Sequence, residues 1–357
     1  MPTLMLMLIR QLLLLGTAAA TTSAPVIGIL AVPTIDGGGC ITARDRAIAD
    51  APRPSTASPS GSCFDSLYPQ WVAAAGGRVV PIRYDAPPAE LARLFRSVNG
   101  VLFTGGETDI RLLNSTYMLA AKQLFDLAAQ AHASGDHVPL WGTCMGFQTL
   151  AILAAGRADA LTSRGFDADG ISLPLVWTAA YRSQFARGLA TANGVPSAEE
   201  PTAQNTPALA YLTNENITTN LHHDGVEPSS FTRIKALGEF FAVVSTNRDL
   251  KGKEFVSTME AASGAPIYGT QWHPERNAYQ FSLSADEDDI NHSLHAIHTM
   301  QTWRTSSSWR RGGTATRSRP RGSYRMLCST TTIRSARKAI RTAPTTSRRF
   351  RQRLAQA

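Results

Sequence analysis

The sequence predicts an α/β protein in which a mostly parallel central sheet is flanked by helices. Short apolar stretches, typical of buried strands, alternate along the chain with amphipathic stretches of helical period. This alternation favours a three-layer sandwich of the flavodoxin-like kind, with helices on both faces of the sheet. Three of the strand-like stretches end in residues that can do chemistry, and in such sheets the site lies at the carboxyl ends of the strands.

The predicted elements follow one another closely. The first core strand is Pro25–Leu30, and a Gly-, Pro- and Ser-rich insertion over about 36–63 follows it. The apolar pattern then predicts, in order, a helix over 64–76, a strand over 77–82, a helix over 89–97, a strand over 101–103 and a helix over 117–134. The later part of the chain indicates a strand over 171–177, a polar insertion over about 191–208, and a hairpin of residues 240–246 with 254–259.

The most informative stretch runs from an apolar strand over 138–141 into a Gly-x-Cys-x-Gly turn and then into a helical pattern. Cys144 lies at the tip of this turn, between Gly142 and Gly146, in the layout of a nucleophile elbow. The glycines let neighbouring backbone approach a strained residue. The helix that begins there directs N–H groups and a positive dipole end at the sulfur, which favours the thiolate. The alternative is a buried cysteine that only fills space in the core.

Two further strands end in suitable residues. Gly105 and Gly106 follow one of them, and a Gly-Gly backbone can direct N–H groups into a cleft. The other ends in His273, which is followed by a proline and by Glu275, whose carboxylate can hold the imidazole. Either motif alone fits an ordinary turn at the end of a strand. Together with Cys144 they indicate a cysteine nucleophile with a histidine base and an acidic partner.

The order strand–Gly-Gly, strand–Cys–helix and strand–His-Pro-Glu resembles the class I glutamine amidotransferase fold. Within that fold the chain is similar to gamma-glutamyl hydrolase, also called folylpolyglutamate hydrolase, of peptidase family C26. The resemblance covers roughly residues 25–300 apart from the two insertions. It is carried by Val79–Ile82, Asn99–Phe103, Trp141–Phe147, Glu254–Glu260 and Gln271–Glu275.

The resemblance implies hydrolysis of γ-glutamyl amide bonds, in folates with a poly-γ-glutamyl tail, through a thioester on Cys144. It assigns proton transfer to His273 and the orientation of its ring to Glu275. It also implies that the backbone N–H groups of Gly106 and Met145 stabilise the oxyanion. We expect no metal and no other cofactor.

The resemblance also implies four substrate-binding residues: Gly105, Gln148, Asn220 and His222. From the residues alone, His222 and His223 fit a surface turn, or a metal site for which further ligands are missing at useful spacing. Gln148 departs from the family, which usually has glutamate there, whereas amidotransferases often have glutamine.

The expected partner is a folylpolyglutamate. Its negative charge calls for basic groups near the cleft, for which Arg111, Arg182 and His222 are candidates. Three other functions stay open: a hydrolase of small γ-glutamyl amines, a glutaminase-type amidotransferase domain and, in another class, an inactive binding protein. We expect no nucleic-acid partner, no membrane association once the N-terminal segment is removed, and a possible homodimer.

The N-terminus predicts entry into the secretory pathway. Residues 1–20 are rich in Met and Leu, too short to span a bilayer, and end in small residues, as is typical of a signal peptide. Three Asn-x-Ser/Thr sequons agree with this prediction: Asn114, Asn216 and Asn291. We therefore expect an extracellular, lysosomal or vacuolar glycoprotein. In such a compartment Cys40 and Cys63 could form a disulfide, or both could be unpaired.

The C-terminal part differs from the rest of the chain. Residues 301–357 contain 15 Arg or Lys and no Asp or Glu, so residues 1–300 hold 20 of the 35 basic and all 27 acidic residues. The basic charge is thus a property of the tail and does not indicate a nucleic-acid-binding enzyme. The family ends in an apolar helix, which here begins at 292–301 and then stops. Read one nucleotide earlier, the codons possible for residues 302–310 give residue types of an apolar helix of the kind that the family has there, so we interpret the tail as frameshifted or as a disordered arm. The hydrolase domain is predicted over 24–300.

Overall fold

The computed structural model describes residues 25–34, 61–178, 183–196, 198–281 and 289–305. Within these ranges the strands are β1 (Val26–Leu30), β2 (Val32–Pro33), β3 (Ser62–Cys63), β4 (Arg78–Ile82), β5 (Gly100–Phe103), β6 (Leu140–Thr143), β7 (Ala168–Leu173), β8 (Val176–Trp177), β9 (Thr218–His222), β10 (Phe241–Arg248), β11 (Glu254–Ala261) and β12 (Ile267–Thr270). The helices are α1 (Leu67–Ala74), α2 (Pro88–Ser97), α3 (Thr116–Ala133), α4 (Met145–Ala155), α5 (Gln184–Ala192), α6 (Pro207–Asn214), α7 (Pro228–Arg233), α8 (Lys235–Phe240) and α9 (Leu294–Thr305).

Eight strands form one sheet, in the order β4-β1-β5-β6-β12-β11-β10-β8. The five strands from β4 to β12 are parallel, and the pairs from β12 to β8 are antiparallel. The predicted mostly parallel sheet is therefore confirmed. Because β5, β6 and β12 are neighbours, the three segments that follow them leave the same edge of the sheet side by side.

Helices cover both faces of this sheet. Successive side chains of a strand point to opposite faces, so the apolar side chains of the central strands pack against both layers of helices. Val101 and Phe103 of β5 belong to one buried cluster with residues of α2, α3, α4 and α8. Leu102, which lies between them, belongs to a second cluster with residues of α1, α5, α6 and α9. Two apolar layers thus enclose the central strands, which is the expected three-layer arrangement.

The last described helix, α9, belongs to the second layer. Ala296 and Met300 are buried there, and the indole N–H of Trp71 donates to the carbonyl oxygen of Met300 at 3.1 Å. The closing helix predicted to begin at 292–301 is therefore present through Thr305. Whether the rest of the tail is genuine stays a prediction, because residues 306–357 lie outside the described part of the chain.

Two predicted strands have different bounds in the structure. The strand predicted over 171–177 is divided at Pro174, which has no N–H for a continuous ladder. Its first part, β7, pairs with β9, whereas β8 forms the edge of the large sheet. The strand before Cys144 begins later than predicted and extends to Thr143, because pairing with β12 continues to that residue.

Only some of the residues on which the predicted secretory route depends lie in the described ranges. Cys63 is disulfide-bonded, while Cys40 and residues 1–20 lie outside the described ranges. Asn114 and Asn216 are exposed. The side-chain amide of Asn291 donates to the carbonyl oxygen of Asn216 at 2.8 Å. In the described parts of the chain, every helix is too short or too polar to cross a bilayer.

Candidate active site

Cys144 alone makes the turn between β6 and α4. Its φ of 52° and ψ of −108° lie in a region that residues other than glycine rarely adopt. The residue is only 7% exposed, and its N–H donates to the carbonyl oxygen of Thr270 in the neighbouring strand at 2.8 Å. The predicted strand–turn–helix with Cys144 at its tip is therefore confirmed.

Glycine is needed on both sides of Cys144. A Cβ atom added to Gly142 would lie 2.5 Å from the carbonyl oxygen of Gly146. A Cβ atom added to Gly146 would lie 2.3 Å from the carbonyl oxygen of Phe103. Both obstacles are backbone atoms, which no change of rotamer can move. The predicted close approach of neighbouring backbone is thus present in the structure.

His273 and Glu275 form a buried ion pair after β12. Nδ1 of His273 lies 2.6 Å from Oε1 of Glu275, and the two side chains are 3% and 0% exposed. Burial on its own would lower the pKa of His273, but the charge of Glu275, with a smaller contribution from Cys144, raises it above its usual value. Burial would likewise raise the pKa of Glu275, and His273 with Arg276 lowers it. Glu275 therefore stabilises the imidazolium that forms when His273 accepts a proton.

Cys144 and His273 meet at Gly105. A Cβ atom added to Gly105 would lie 3.1 Å from Cε1 of His273 and 3.5 Å from Cβ of Cys144. Nε2 of His273 is buried and makes no hydrogen bond with the described residues. Since Nδ1 is bonded to Glu275, Nε2 is the ring nitrogen that is free to exchange a proton with a neighbouring thiol.

Gly106 and Met145 lie beside each other next to Cys144. A Cβ atom added to Gly106 would lie 3.3 Å from Cε of Met145, and both residues line the cleft onto which Cys144 opens. Met145 is the first residue of α4, so its N–H has no acceptor within the helix. This arrangement can provide donors for a developing oxyanion, and the oxyanion role stays a prediction.

Tyr68 is a site residue that the sequence analysis missed. It is 2% exposed, and its hydroxyl oxygen accepts the N–H of Gly105 at 2.7 Å. Burial, followed by the charge of Glu275, raises the pKa of Tyr68 well above its usual value, so the phenol stays neutral. In the sequence, Tyr68 belongs to the apolar face of α1 and gives no sign of a polar role. The N–H of Gly105 is thus engaged by this phenol, and the predicted contact of Gly105 with substrate stays a prediction.

Cys144 opens on a cleft of about 580 Å³. Its walls come from the loop after β5, the elbow, a turn after α4 and the end of β9. The lining residues are Gly106, Glu107, Thr108, Asp109, Ile110, Arg111, Cys144, Met145, Gln148, Leu161, Ser163, Arg164, Leu221, His222, His223 and Asp224. Of the predicted substrate-binding residues, Gln148 and His222 are in this lining.

Asn220 occupies a different place from His222 although both belong to β9. It is fully buried, is not part of the cleft lining, and its side-chain amide donates to the carbonyl oxygen of Thr218 at 2.9 Å. Its Oδ1 has no hydrogen-bond partner among the described residues. The predicted contact of Asn220 with substrate stays a prediction.

One carbonyl group positions both Gln148 and His222. The oxygen of Asp224 accepts from Nε2 of Gln148 at 2.8 Å and lies 2.9 Å from Nδ1 of His222. Nε2 of Gln148 also donates to Oε1 of Gln271 at 3.1 Å. An amide is suited to this place because it brings a donor to two acceptors, which an ionised carboxylate cannot do.

His222 is a neutral hydrogen-bond acceptor. Because a carbonyl oxygen only accepts, Nδ1 carries the proton and Nε2 has the lone pair. Nε2 is buried without a partner in the described chain, and burial lowers the pKa of His222 to about 3. The predictions that His222 lies in a surface turn or supplies positive charge are therefore wrong.

Arg111, another predicted basic group, does not supply free charge either. Nε and Nη2 of Arg111 donate to the two carboxylate oxygens of Asp109 at 2.9 and 3.3 Å, which neutralises the guanidinium. Arg182 lies outside the described residues. In the part of the chain that the structure describes, no three His, Cys, Asp or Glu side chains are grouped so that they could hold a metal ion.

The fold and the site together define a class of protein, an α/β protein with a cysteine elbow and a buried His–Glu pair at adjacent strand ends. The chain belongs to the peptidase C26 family, whose model matches residues 47–275.

Three relatives illustrate the similarity. The gamma-glutamyl hydrolase of Mus musculus is 37% identical over 233 residues, which cover 65% of this chain and 66% of that protein. Gamma-glutamyl hydrolase B of Dictyostelium discoideum is 34% identical over 235 residues, 66% of this chain and 61% of that protein. Gamma-glutamyl hydrolase 1 of Arabidopsis thaliana is 30% identical over 277 residues, which cover 78% of this chain and 69% of that protein. The chain thus spans 61–66% of the length of the first two relatives.

Proposed function

We propose that this chain is a cysteine hydrolase that cleaves γ-glutamyl amide bonds, with folylpoly-γ-glutamates as its substrates. The observation that carries the proposal is Cys144, which lies in a positive-φ turn, lines a cleft and is close to the buried His273–Glu275 pair. These groups suit nucleophilic attack on an amide carbonyl. The names of the relatives support the γ-glutamyl bond, and the folate rests on the family resemblance alone.

The first half of the reaction forms a thioester. The Cys144 thiol transfers its proton to Nε2 of His273, and the sulfur attacks the γ-carbonyl carbon of a glutamyl unit. The N–H groups of Gly106 and Met145 stabilise the oxyanion, a contribution of about 3 kcal/mol for each donor. The C–N bond then breaks, the amine leaves with the proton from His273, and the acyl group stays on Cys144.

The second half hydrolyses the thioester. A water molecule attacks the acyl carbon while His273 accepts its proton, and the C–S bond breaks to give a γ-carboxylic acid and the thiol. Glu275 keeps the same imidazole nitrogen, Nδ1, bonded throughout, so that Nε2 alone transfers protons. The neutral Nε2 of His222 accepts a hydrogen bond from an N–H group of the bound substrate.

We also propose that the hydrolase domain spans residues 24–300 and acts in the extracellular space, a lysosome or a vacuole. The disulfide at Cys63 and the exposure of Asn114 and Asn216 support a secretory route. A homodimer and glycosylation stay predictions. Sequencing of the N-terminus of the secreted protein tests the route, because a mature chain that still begins at Met1 would contradict a cleaved signal.

The reaction is tested with the full chain produced by a secreting host. It is incubated with a folate pentaglutamate and, separately, with free glutamine, next to a Cys144→Ala variant. Chromatography follows the folates and an ammonia assay follows glutamine. We expect shorter folates from the wild-type chain and none from the variant.

The products also separate the alternatives. Ammonia from glutamine without shortening of the folate would favour a glutaminase-type activity. Turnover of only small γ-glutamyl amines would favour a small-molecule hydrolase. Equal product with and without Cys144 would refute the mechanism, whereas tight binding of the folate without turnover would indicate an inactive binding protein.

A further inference from the structure

The cleft has one cationic side chain whose charge is not balanced by the described residues. Arg111 is paired with Asp109, and His222 is neutral. Arg164 also lines the cleft, and its guanidinium has neither an ion pair nor a hydrogen bond within the described chain. Its side chain is exposed, so it is accessible to a ligand that enters the cleft.

The backbone that carries Arg164 is fixed at both ends. Before it, Thr162 and Gly225 exchange two backbone hydrogen bonds, of 2.8 and 3.1 Å. After it, the N–H of Phe166 donates to the carbonyl oxygen of His223 at 3.0 Å. Residues 163–165 therefore form a short loop that is held against the segment following β9.

Asp224 connects this loop to the cleft. Its Oδ1 accepts the N–H of Arg164 at 2.5 Å and lies 3.2 Å from the hydroxyl of Ser163. The carbonyl oxygen of the same residue positions Gln148 and His222. Hydrogen bonds of Asp224 thus link the backbone of Arg164 to Gln148 and His222, which line the same cleft as Cys144.

The conformation of Arg164 is unusual. Its φ is +49°, and Arg164 and Cys144 are the residues other than glycine with positive φ among the described ones. This conformation costs an L-residue roughly 1–2 kcal/mol, and glycine would avoid the cost. Strain of this kind concentrates at functional sites. The presence of arginine at such a position indicates that its side chain, and not only the turn, is used.

A guanidinium is complementary to a carboxylate. It presents parallel N–H donors in a planar fork, and it binds carboxylate groups through two hydrogen bonds. In a γ-linked glutamate chain the γ-carbonyl is consumed by the amide, and each unit keeps a free α-carboxylate. That carboxylate is the feature by which a cleft can distinguish such a substrate from an uncharged amide.

We propose that Arg164 is the specificity-determining residue of this cleft and that its guanidinium binds the α-carboxylate of a substrate glutamate unit. This inference rests on the proposed function, and it assigns the binding of the substrate's negative charge to one side chain. The guanidinium of Arg111 already donates to both carboxylate oxygens of Asp109, so fewer of its N–H groups are left for a ligand.

Binding is measured apart from turnover. The full chain carrying Cys144→Ala is titrated with tri-γ-glutamate by calorimetry, alone and combined with Arg164→Gly, Arg164→Lys or Lys235→Gln. Glycine accepts the positive φ, so Arg164→Gly removes the side chain without strain. We expect Arg164→Gly to weaken binding about tenfold or more and Arg164→Lys to weaken it less, since a charge-assisted bidentate contact is lost or reduced. Lys235, which is 86% exposed and outside the cleft lining, should have no effect.

The same variants in the active enzyme give a second readout. We expect Arg164→Gly to raise KM for a γ-glutamyl substrate and to change kcat little. A substrate whose α-carboxylate is converted to an amide should bind equally to both forms. Unchanged binding and unchanged KM in Arg164→Gly would overturn the proposal while leaving the hydrolase intact. Binding that depends on Arg164 without any turnover would instead refute the proposed function, and no binding at all would refute both.

Discussion

The ring of His273 is oriented from one side by a carboxylate that has no access to water. Glu275 is fully buried and bonded to Nδ1, so the residue acts on the ring and not on solvent. Arg276, whose Nε lies 3.6 Å from the same Oε1, adds to the lowering of the Glu275 pKa. The contacts among these three residues could be predicted in part, because Glu275 lies only two positions after His273 in the sequence. Tyr68 could not, since the chain between it and Gly105 gives no sign that the two meet.

Replacing Tyr68 with phenylalanine should slow catalysis more than it weakens substrate binding. The change leaves the partly buried N–H of Gly105 without its acceptor, at a cost of about 1 kcal/mol or more, next to the Gly106 amide that we assign to the oxyanion. We expect kcat to fall about tenfold or more and KM to stay nearly constant. Steady-state kinetics measures both values. Tyr211→Phe, which keeps the stacking of that ring on His295, is the matched control. Equal kinetics in Tyr68→Phe and wild type would show that the phenol is not needed.

His222 should make the fold sensitive to acid. Its folded pKa of about 3 is far below the unfolded value of 6.5. Below pH 6.5 the unfolded chain therefore gains a proton that the folded chain does not, and stability falls by about 2–3 kcal/mol on reaching pH 4.5. His222→Asn should remove this loss, whereas His223→Asn, at an exposed residue, should keep it. Urea unfolding at pH 7 and pH 4.5 measures the difference. An undiminished loss in His222→Asn would contradict the assignment.

The elbow element shows why a short motif can specify a rigid site. β5, β6 and α4 approach each other so closely that Gly146 has backbone of Phe103 where its side chain would be. The strained turn at Cys144 is stable because the flanking strand is paired in the sheet and the flanking helix packs in the core.

The strand predicted over 171–177 is the opposite case. Its apolar pattern predicted one element, but Pro174 divides it, and the tertiary pairing decides which sheet each part joins.

Gly146→Ala should damage both stability and activity. The new methyl group would lie 2.3 Å from a carbonyl oxygen, so the start of α4 must move away from β5. We expect a loss of about 2 kcal/mol or more in the free energy of unfolding and a strong loss of turnover, since Cys144 moves too. Gly135→Ala is the control. Its φ is +77° but no atom lies near, so it should cost about 1 kcal/mol and leave activity unchanged. Similar effects of the two changes would contradict this account of the elbow.

At the scale of the whole molecule, two apolar layers enclose the sheet, and α9 completes the second layer. Its buried residues, Ala296 and Met300, are the last strongly apolar contacts in the described chain. The opposite charges of body and tail, 20 basic and 27 acidic residues against 15 basic and none acidic, also divide the chain near this helix. We therefore expect the fold of the described residues to form without the tail.

A chain ending at Thr305 should fold as stably as the full chain, and a chain ending at Ser293 should not. The shorter chain lacks the buried Met300 side chain, worth about 1.5–3 kcal/mol, and the hydrogen bond from Trp71. Thermal unfolding compares the three proteins. We expect melting temperatures within a few degrees for the first two and a clear decrease for the third. A strong decrease on removal of 306–357 alone would contradict the interpretation of the tail as frameshifted or disordered.

By itself, the sequence determined the sheet class, the positions of Cys144, His273 and Glu275, and the glycines around the elbow. These features are local, because strand pattern, turn chemistry and closely spaced partners are all readable within a few residues. Only the tertiary structure decided the neutrality of His222, the role of Tyr68, the pairing of Arg111 and the exposed charge of Arg164. Burial and ion pairing depend on residues that are distant in the chain. The sequence shows which side chains can be charged, but it does not show which partner neutralises each of them.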